Sequence, residues 1–173
     1  MVQLFIINNF LMGLIMRRKD REVTNPTKIK EIIKESEIIR IGYYDNGEIY
    51  IVPVNFGYTE ENGSYTFYFH GANAGRKYEL SKNGCAVGFE MESSAKTIIN
   101  DEVSCHSTCL FHSVIGNGKI SLVTSQDEKE KSLNIILNHF TGKAIHNFDE
   151  KYLKAVAVYK LEVEKLSCKE KIK

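Results

Sequence analysis

Two short stretches of this chain carry residue types that could do chemistry. In the first, Gly71-Ala72-Asn73-Ala74-Gly75 is followed directly by Arg76-Lys77. Small residues let backbone N–H groups approach an anion, a helix start adds partial positive charge, and Arg76 and Lys77 supply formal charge. That is phosphate-holding chemistry. The same pattern also suits an ordinary strand–loop–helix connection with solvated basic residues, since Gly and Lys are common in loops. The second stretch holds Cys105, His106, Cys109 and His112. Zinc would need these thiolates and imidazoles to converge on one tetrahedron. An extended backbone sends Cys105 and Cys109 to one face and His106 and His112 to the other. A helix would gather Cys105, Cys109 and His112, but the β-branched and aromatic flank from Phe111 onward favours strand. The preferred reading is half-buried thiols beside histidines, with no metal. A Cys–His nucleophile pair with His70 or His112 as base is chemically possible, yet nothing in the sequence orients one. No Walker-type loop, dinucleotide fingerprint or serine elbow occurs.

The elements that must position these residues are mostly strands. Tyr65 to His70 is a short aromatic strand leading into the glycine-flanked loop, and Cys85 to Met91 is a strand after the helix that Arg76 opens. Upstream, Asn25-Pro26 marks a helix start, with Ile29, Ile32 and Ile33 at helical spacing to about Ser36. Ile38 to Tyr44 and Glu48 to Tyr58 form a hairpin about Asp45-Asn46-Gly47, and Glu60-Glu61-Asn62-Gly63 turns the chain again, predicting a three-stranded meander. Pro53 lacks a ladder donor, so its strand must lie at an edge, at a bulge or beside a ligand. Residues 92 to 102 show no period and are expected as a surface loop. Cys109 to Val123 is a long strand in which Gly116 and Gly118 imply a bulge or bend. Ser125 with Glu128 has the capping-box pattern, opening a helix through Leu133, Ile136, Leu137 and Phe140. Ala155 to Val163 is a closing strand and 165 to 173 a charged tail. Antiparallel strands joined by turns point to a mainly β fold, a small barrel of six or so strands with helices packed outside.

Bulk properties narrow the partners. A chain of 173 residues, 43% hydrophobic, fits one globular domain. A net charge of +1 provides no broad basic field, so no nucleic-acid partner is expected. Four cysteines make no disulfide framework at this length, which favours reduced thiols in the cytoplasm. Residues 1 to 15 are strongly apolar but too short to span a bilayer, and Arg17, Arg18 and Lys19 follow the apolar run where a secretory signal needs them before it. A translation start at Met16 would account for this; a membrane-surface or dimer-packing extension is the alternative.

Met16 to about Val163 resembles the flavin-binding split barrels of the pyridoxamine 5′-phosphate oxidase superfamily, nearest the nitroimidazole-resistance branch. The matching pieces are Met16-Arg17-Arg18-Lys19-Asp20-Arg21-Glu22, Val52-Pro53-Val54-Asn55-Phe56-Gly57-Tyr58, Phe67-Tyr68-Phe69-His70 with Gly75-Arg76-Lys77, and Ser113-Val114-Ile115-Gly116-Asn117-Gly118. The resemblance implies a split β-barrel domain over 16–164 and a homodimer binding FMN at the subunit interface. It implies that Gly75, Arg76 and Lys77 hold the FMN phosphate, that Val52, Pro53, Val54 and Asn55 run beside the flavin, and that Phe69 and His70 flank it. Ser113 falls where oxidase relatives place a polar FMN contact, and His70 at a position associated with the active site. The implied activity is a cytoplasmic FMN-dependent reductase moving electrons from a reduced nicotinamide to a small-molecule acceptor such as a nitroaromatic. The Arg- and Trp-containing C-terminal motif of true pyridoxamine phosphate oxidases is absent, and the chain has no Trp, so vitamin B6 oxidation is not implied. Rival expectations are a non-enzymatic flavin or haem binder, with His70, His106, His112, His139 and His146 as possible axial ligands, and a metal-stapled dimer using the Cys105–His112 segment.

Overall fold

The computed structural model describes residues 16–143 and 147–172. The apolar segment 1–15 and His146 lie outside them. Eight antiparallel strands form one sheet: β1 (Glu22–Val23), β2 (Ile38–Asp45), β3 (Glu48–Asn55), β4 (Gly57–Glu61), β5 (Ser64–Ala72), β6 (Cys85–Ile98), β7 (Thr108–Val123) and β8 (Val156–Lys171). Their order is β3-β2-β6-β7-β8-β5-β4, with β1 added to β8. The two edge strands, β3 and β4, are separated in the chain by the single residue Phe56. The sheet therefore curls until its edges approach, and β3 lies against β5 without a ladder between them. This is an open barrel, split along the β3 edge.

Local chemistry explains the frame. Asn25 caps α1 (Pro26–Glu35) by accepting from the Thr27 and Lys28 amides at 2.9 and 3.3 Å, with Pro26 in the first turn. Asn46 and Gly47 both take positive φ in the β2–β3 turn, the conformation a tight hairpin needs. Between β7 and β8 the register slips at Asn117/Gly118, leaving an extra residue on β8. A Cβ at Gly116 would overlap the Lys165 carbonyl and the Phe89 ring, and one at Gly118 the Glu162 carbonyl, so only glycine lets β8 come this close.

The barrel interior holds Ile39, Ile41, Tyr43, Phe56, Phe67, Phe69, Met91, Val114, Ile120, Tyr159 and Leu161, all essentially buried. A second, smaller cluster lies on the outside of the sheet, where Leu133 and Ile136 of α3 (Gln126–Thr141) and Leu153 of α4 (Glu150–Ala155) cover Val123, Val156 and Val158. His139 on α3 makes a 2.8 Å bond to the Ser36 carbonyl, tying this roof to the end of α1. Among the described residues no helix is long and apolar enough to cross a membrane.

Several expectations need correction. The strand predicted over 48–58 is two strands on opposite edges, so the three-stranded meander is a pair of hairpins. The surface loop expected over 92–102 is largely strand, since β6 runs to Ile98 past a register shift between Ser93 and Lys96. The charged tail expected at 165–173 is the second half of β8 as far as Lys171, paired to β7 and placing Cys168 in the core. Ser125 stands at the N-cap of α3, but its side chain makes no capping bond. α4, capped by Asp149, was not predicted.

Candidate functional site

The predicted phosphate loop ends where Gly75 turns into the short helix α2 (Arg76–Ser81). The two basic residues that follow have different surroundings. Arg76 is engaged by carboxylates: its Nε donates to Asp45 Oδ2 at 2.7 Å and its Nη2 to Glu48 Oε2 at 2.9 Å, while the guanidinium stacks 4.8 Å over the Tyr50 ring. Lys77 has no carboxylate partner among the described residues. Its ammonium donates to the His70 carbonyl at 3.3 Å and sits over the rings of Tyr159 at 4.7 Å and Phe69 at 5.5 Å. Burial holds its pKa below the usual lysine value. A half-buried cation held only by a carbonyl and two rings among the described residues can take an anion as a further partner.

Phe69 itself is fully buried, stacked on Tyr159 at 4.9 Å, so it forms the floor beneath Lys77. His70 points to the opposite, exposed side of β5. Partial burial and then the nearby Lys77 charge lower its pKa, so it is a neutral imidazole at neutral pH. Tyr159 donates to the Ala72 carbonyl at 3.4 Å, and burial pushes its phenol up to about 12.

The Val52–Asn55 stretch lies on β3, whose outer edge has no ladder partner among the described residues. Pro53 sits there opposite Arg40, which resolves its expected alternatives in favour of the edge. Val52 and Val54 turn towards the core, whereas Pro53 and Asn55 face out, the latter donating to the Glu37 carbonyl at 3.2 Å. On this outer face the register sets Ile51 beside Gly42 and Gly42 beside Gly88. Ile49 and Ile51, 67 and 61% exposed, line a shallow depression of about 280 Å³ floored by the two glycines and bounded by Arg40 and Glu90; Tyr44, 71% exposed, stands on the same face. Glycine on a strand's open face lets a flat ring or another backbone approach closely.

Ser113 shares that outer face, but it lies on β7 opposite Glu92, towards the far end of the sheet from Arg76 and Lys77. One chain thus brings together Gly75, Arg76, Lys77, Phe69 and the backbone of His70, and leaves Ser113 and Asn55 remote. The Cys/His stretch does not converge. Cys105 and Cys109 are exposed rather than half-buried, and among the described residues no three His, Cys, Asp or Glu form a metal-binding group. His112 is buried between Glu35 at 3.4 Å and Glu170 at 3.6 Å. A larger groove, about 900 Å³, opens between α1 and β8, but its Lys30 and Glu60 pair with each other at 3.3 Å.

Sequence reasoning missed Tyr159 and Tyr50, the rings under the two cations, and Asp45 and Glu48, the partners of Arg76. It also missed the apolar outer face. A signal for that face exists: Ile49-Tyr50-Ile51-Val52-Pro53-Val54 is apolar without alternation, the mark of a strand covered on both sides.

Comparison with known proteins places this arrangement. No curated protein matches the chain. Among solved structures, a candidate 5-nitroimidazole antibiotic resistance protein of Bacteroides thetaiotaomicron is 25% identical, with TM-score 0.73 and 86% of each chain covered. An FAD and haem binding protein of Mycobacterium smegmatis is 14% identical at TM-score 0.76, covering 88% of this chain and 74% of its own. A flavocytochrome of Azotobacter vinelandii is 20% identical at TM-score 0.73, covering 92% and 73%. The family model described as pyridoxamine 5′-phosphate oxidase matches residues 25–170. With the split sheet and nearly the whole length accounted for, the chain belongs to the pyridoxamine 5′-phosphate oxidase family.

Proposed function

We propose that this protein is a cytoplasmic FMN-dependent oxidoreductase that works as a homodimer, passing electrons from a reduced nicotinamide to a small acceptor such as a nitroaromatic. The observation that carries the reading is Lys77, a half-buried cation over two aromatic rings with no carboxylate partner among the described residues. A flavin phosphate is the partner that fits. The family and two neighbours named for flavin or haem support the choice of a flavin.

The chain's own residues divide the work. Lys77 meets the phosphate, and the unpaired edge backbone over Val52–Asn55 meets the polar rim of the ring. Gly42, Gly88 and Ile51 offer a flat apolar surface. Ser113, too far from Lys77 to serve the same cofactor within one chain, serves the cofactor held by a second copy packed on this face. When bound, the flavin supplies hydride and electron transfer; the protein supplies binding, orientation and exclusion of water. His70 turns its imidazole away from Lys77, so within one chain it does not meet the cofactor; neutral at neutral pH, it would carry protons for the cofactor held by the second copy.

The test is a visible spectrum of the purified protein followed by FMN titration of the wild type and Lys77→Ala. The expected result is one FMN per chain, with affinity falling by about tenfold or more in the variant as a charge-assisted contact is lost. A wild type that stays colourless and ignores FMN would overturn the reading. A single intense Soret band would replace flavin by haem.

A further inference from the structure

We infer that Asp45 and Glu48 form a latch on Arg76 that withholds its charge from the phosphate, leaving affinity for phosphorylated flavin to Lys77 and under the control of the two acids. This rests on the flavin reading above.

Asp45 and Glu48 flank the Asn46-Gly47 turn and are directly opposed across β2 and β3. Like charges so placed repel, and a cation between them relieves the repulsion. Arg76 is that cation, 31 residues from Asp45 and 28 from Glu48 in the chain. Asp45 is only 19% exposed and is also held by Asn46 Nδ2 at 3.0 Å, so its carboxylate is fixed in place. With one guanidinium against two carboxylates, the group keeps a net negative charge beside Lys77 rather than adding a positive one. The stack on Tyr50 fixes the plane of the fork as well. A phosphate that recruited Arg76 would have to displace two charge-assisted bonds and leave opposed acids uncompensated. Two adjacent basic residues thus have opposite fates: Arg76 straps α2 to the β2–β3 hairpin, and Lys77 faces the anion.

The experiment compares FMN with riboflavin, which lacks the phosphate, on wild type, Glu48→Gln, Asp45→Asn and Lys77→Ala. Neutralising either acid should tighten FMN binding by about three- to tenfold and leave riboflavin unchanged, and the gain should fade towards ~1 M salt, where the screening length shrinks to a few ångström. Lys77→Ala should collapse the FMN-to-riboflavin ratio. Glu48 is 74% exposed, so its variant keeps the test open if Asp45→Asn destabilises the hairpin; flavin-free melting curves check this. Unchanged or lower FMN-to-riboflavin ratios in both acid variants would overturn the latch while leaving flavin binding intact. A wild type that binds neither flavin overturns both.

Discussion

The outer surface of this sheet has two halves that the same chain treats oppositely. Over the end of β7 and the start of β8, α3 and α4 bury Val123, Val156 and Val158 under Leu133, Ile136 and Leu153. Over β3, β2 and β6, Tyr44, Ile49 and Ile51 stand in solvent with Ile115 of β7 nearby, and no element of the described chain covers them. Both halves carry apolar side chains, the bare one beside the Arg40–Glu90 ion pair, so hydrophobicity alone does not decide which is roofed. The difference is that the bare half adjoins the split, the free β3 edge and the two cations of α2. An exposed apolar face beside a free strand edge is where the proposed second copy would pack.

Truncations of equal size on the two halves should have unequal effects. Leu133→Ala, which empties a buried contact, should cost about 2–5 kcal/mol in denaturant unfolding, whereas Ile51→Ala should change monomer stability by less than about 0.5 kcal/mol. Equal losses would erase the distinction. Next in size, Ile51→Lys should weaken self-association by about tenfold or more, read by sedimentation, while the unfolding curve of the dilute chain stays in place. An unaltered dimer would show that copies meet elsewhere.

A smaller effect concerns Lys77. Its folded pKa lies below the unfolded value, so the unfolded chain binds more protons between the two, and its charge is a cost to folding that disappears as pH rises through that window. Lys77→Met should therefore raise the melting temperature slightly at neutral pH without ligand, and remove part of the alkaline rise in stability. Smallest of all is His70. Its lowered pKa makes protonation a penalty that is full below the folded pKa and gone above the unfolded one, near 6.5. His70→Gln should flatten the loss of stability on the acid side; a steeper loss would mean that the protonated ring is held by a partner.

Much of the frame was legible because it is written in local chemistry. The Asn25 cap, the Asn46-Gly47 turn, the edge proline at 53 and the close-packed glycines at 116 and 118 each act on their own backbone. The failures are tertiary. Around Phe56 only Asn55 and Gly57 interrupt the run, with no turn cluster, yet that one buried residue separates strands on opposite edges of the sheet. In β6 beyond Ser93 the side chains are exposed on both faces, so no period marks the strand, and in β8 beyond Val163 the flanking charges mask the inward Leu166 and Cys168. For the site, Gly75, Arg76 and Lys77 stood out because phosphate chemistry is local. That Arg76 is committed to acids on a distant hairpin, and that Tyr159 from the last strand lies under Lys77, depends on sheet order alone. Ser113 was placed by resemblance, and one chain leaves it far from the cations.

The most direct test of the account measures mass and flavin together. Sedimentation equilibrium monitored at both protein and flavin absorbance, on wild type and Ile51→Lys with FMN present, should show a wild-type dimer carrying two FMN. The variant should lose dimer and flavin in parallel. A monomer that retains stoichiometric FMN would contradict the claim that the bare face is where a second copy completes the site.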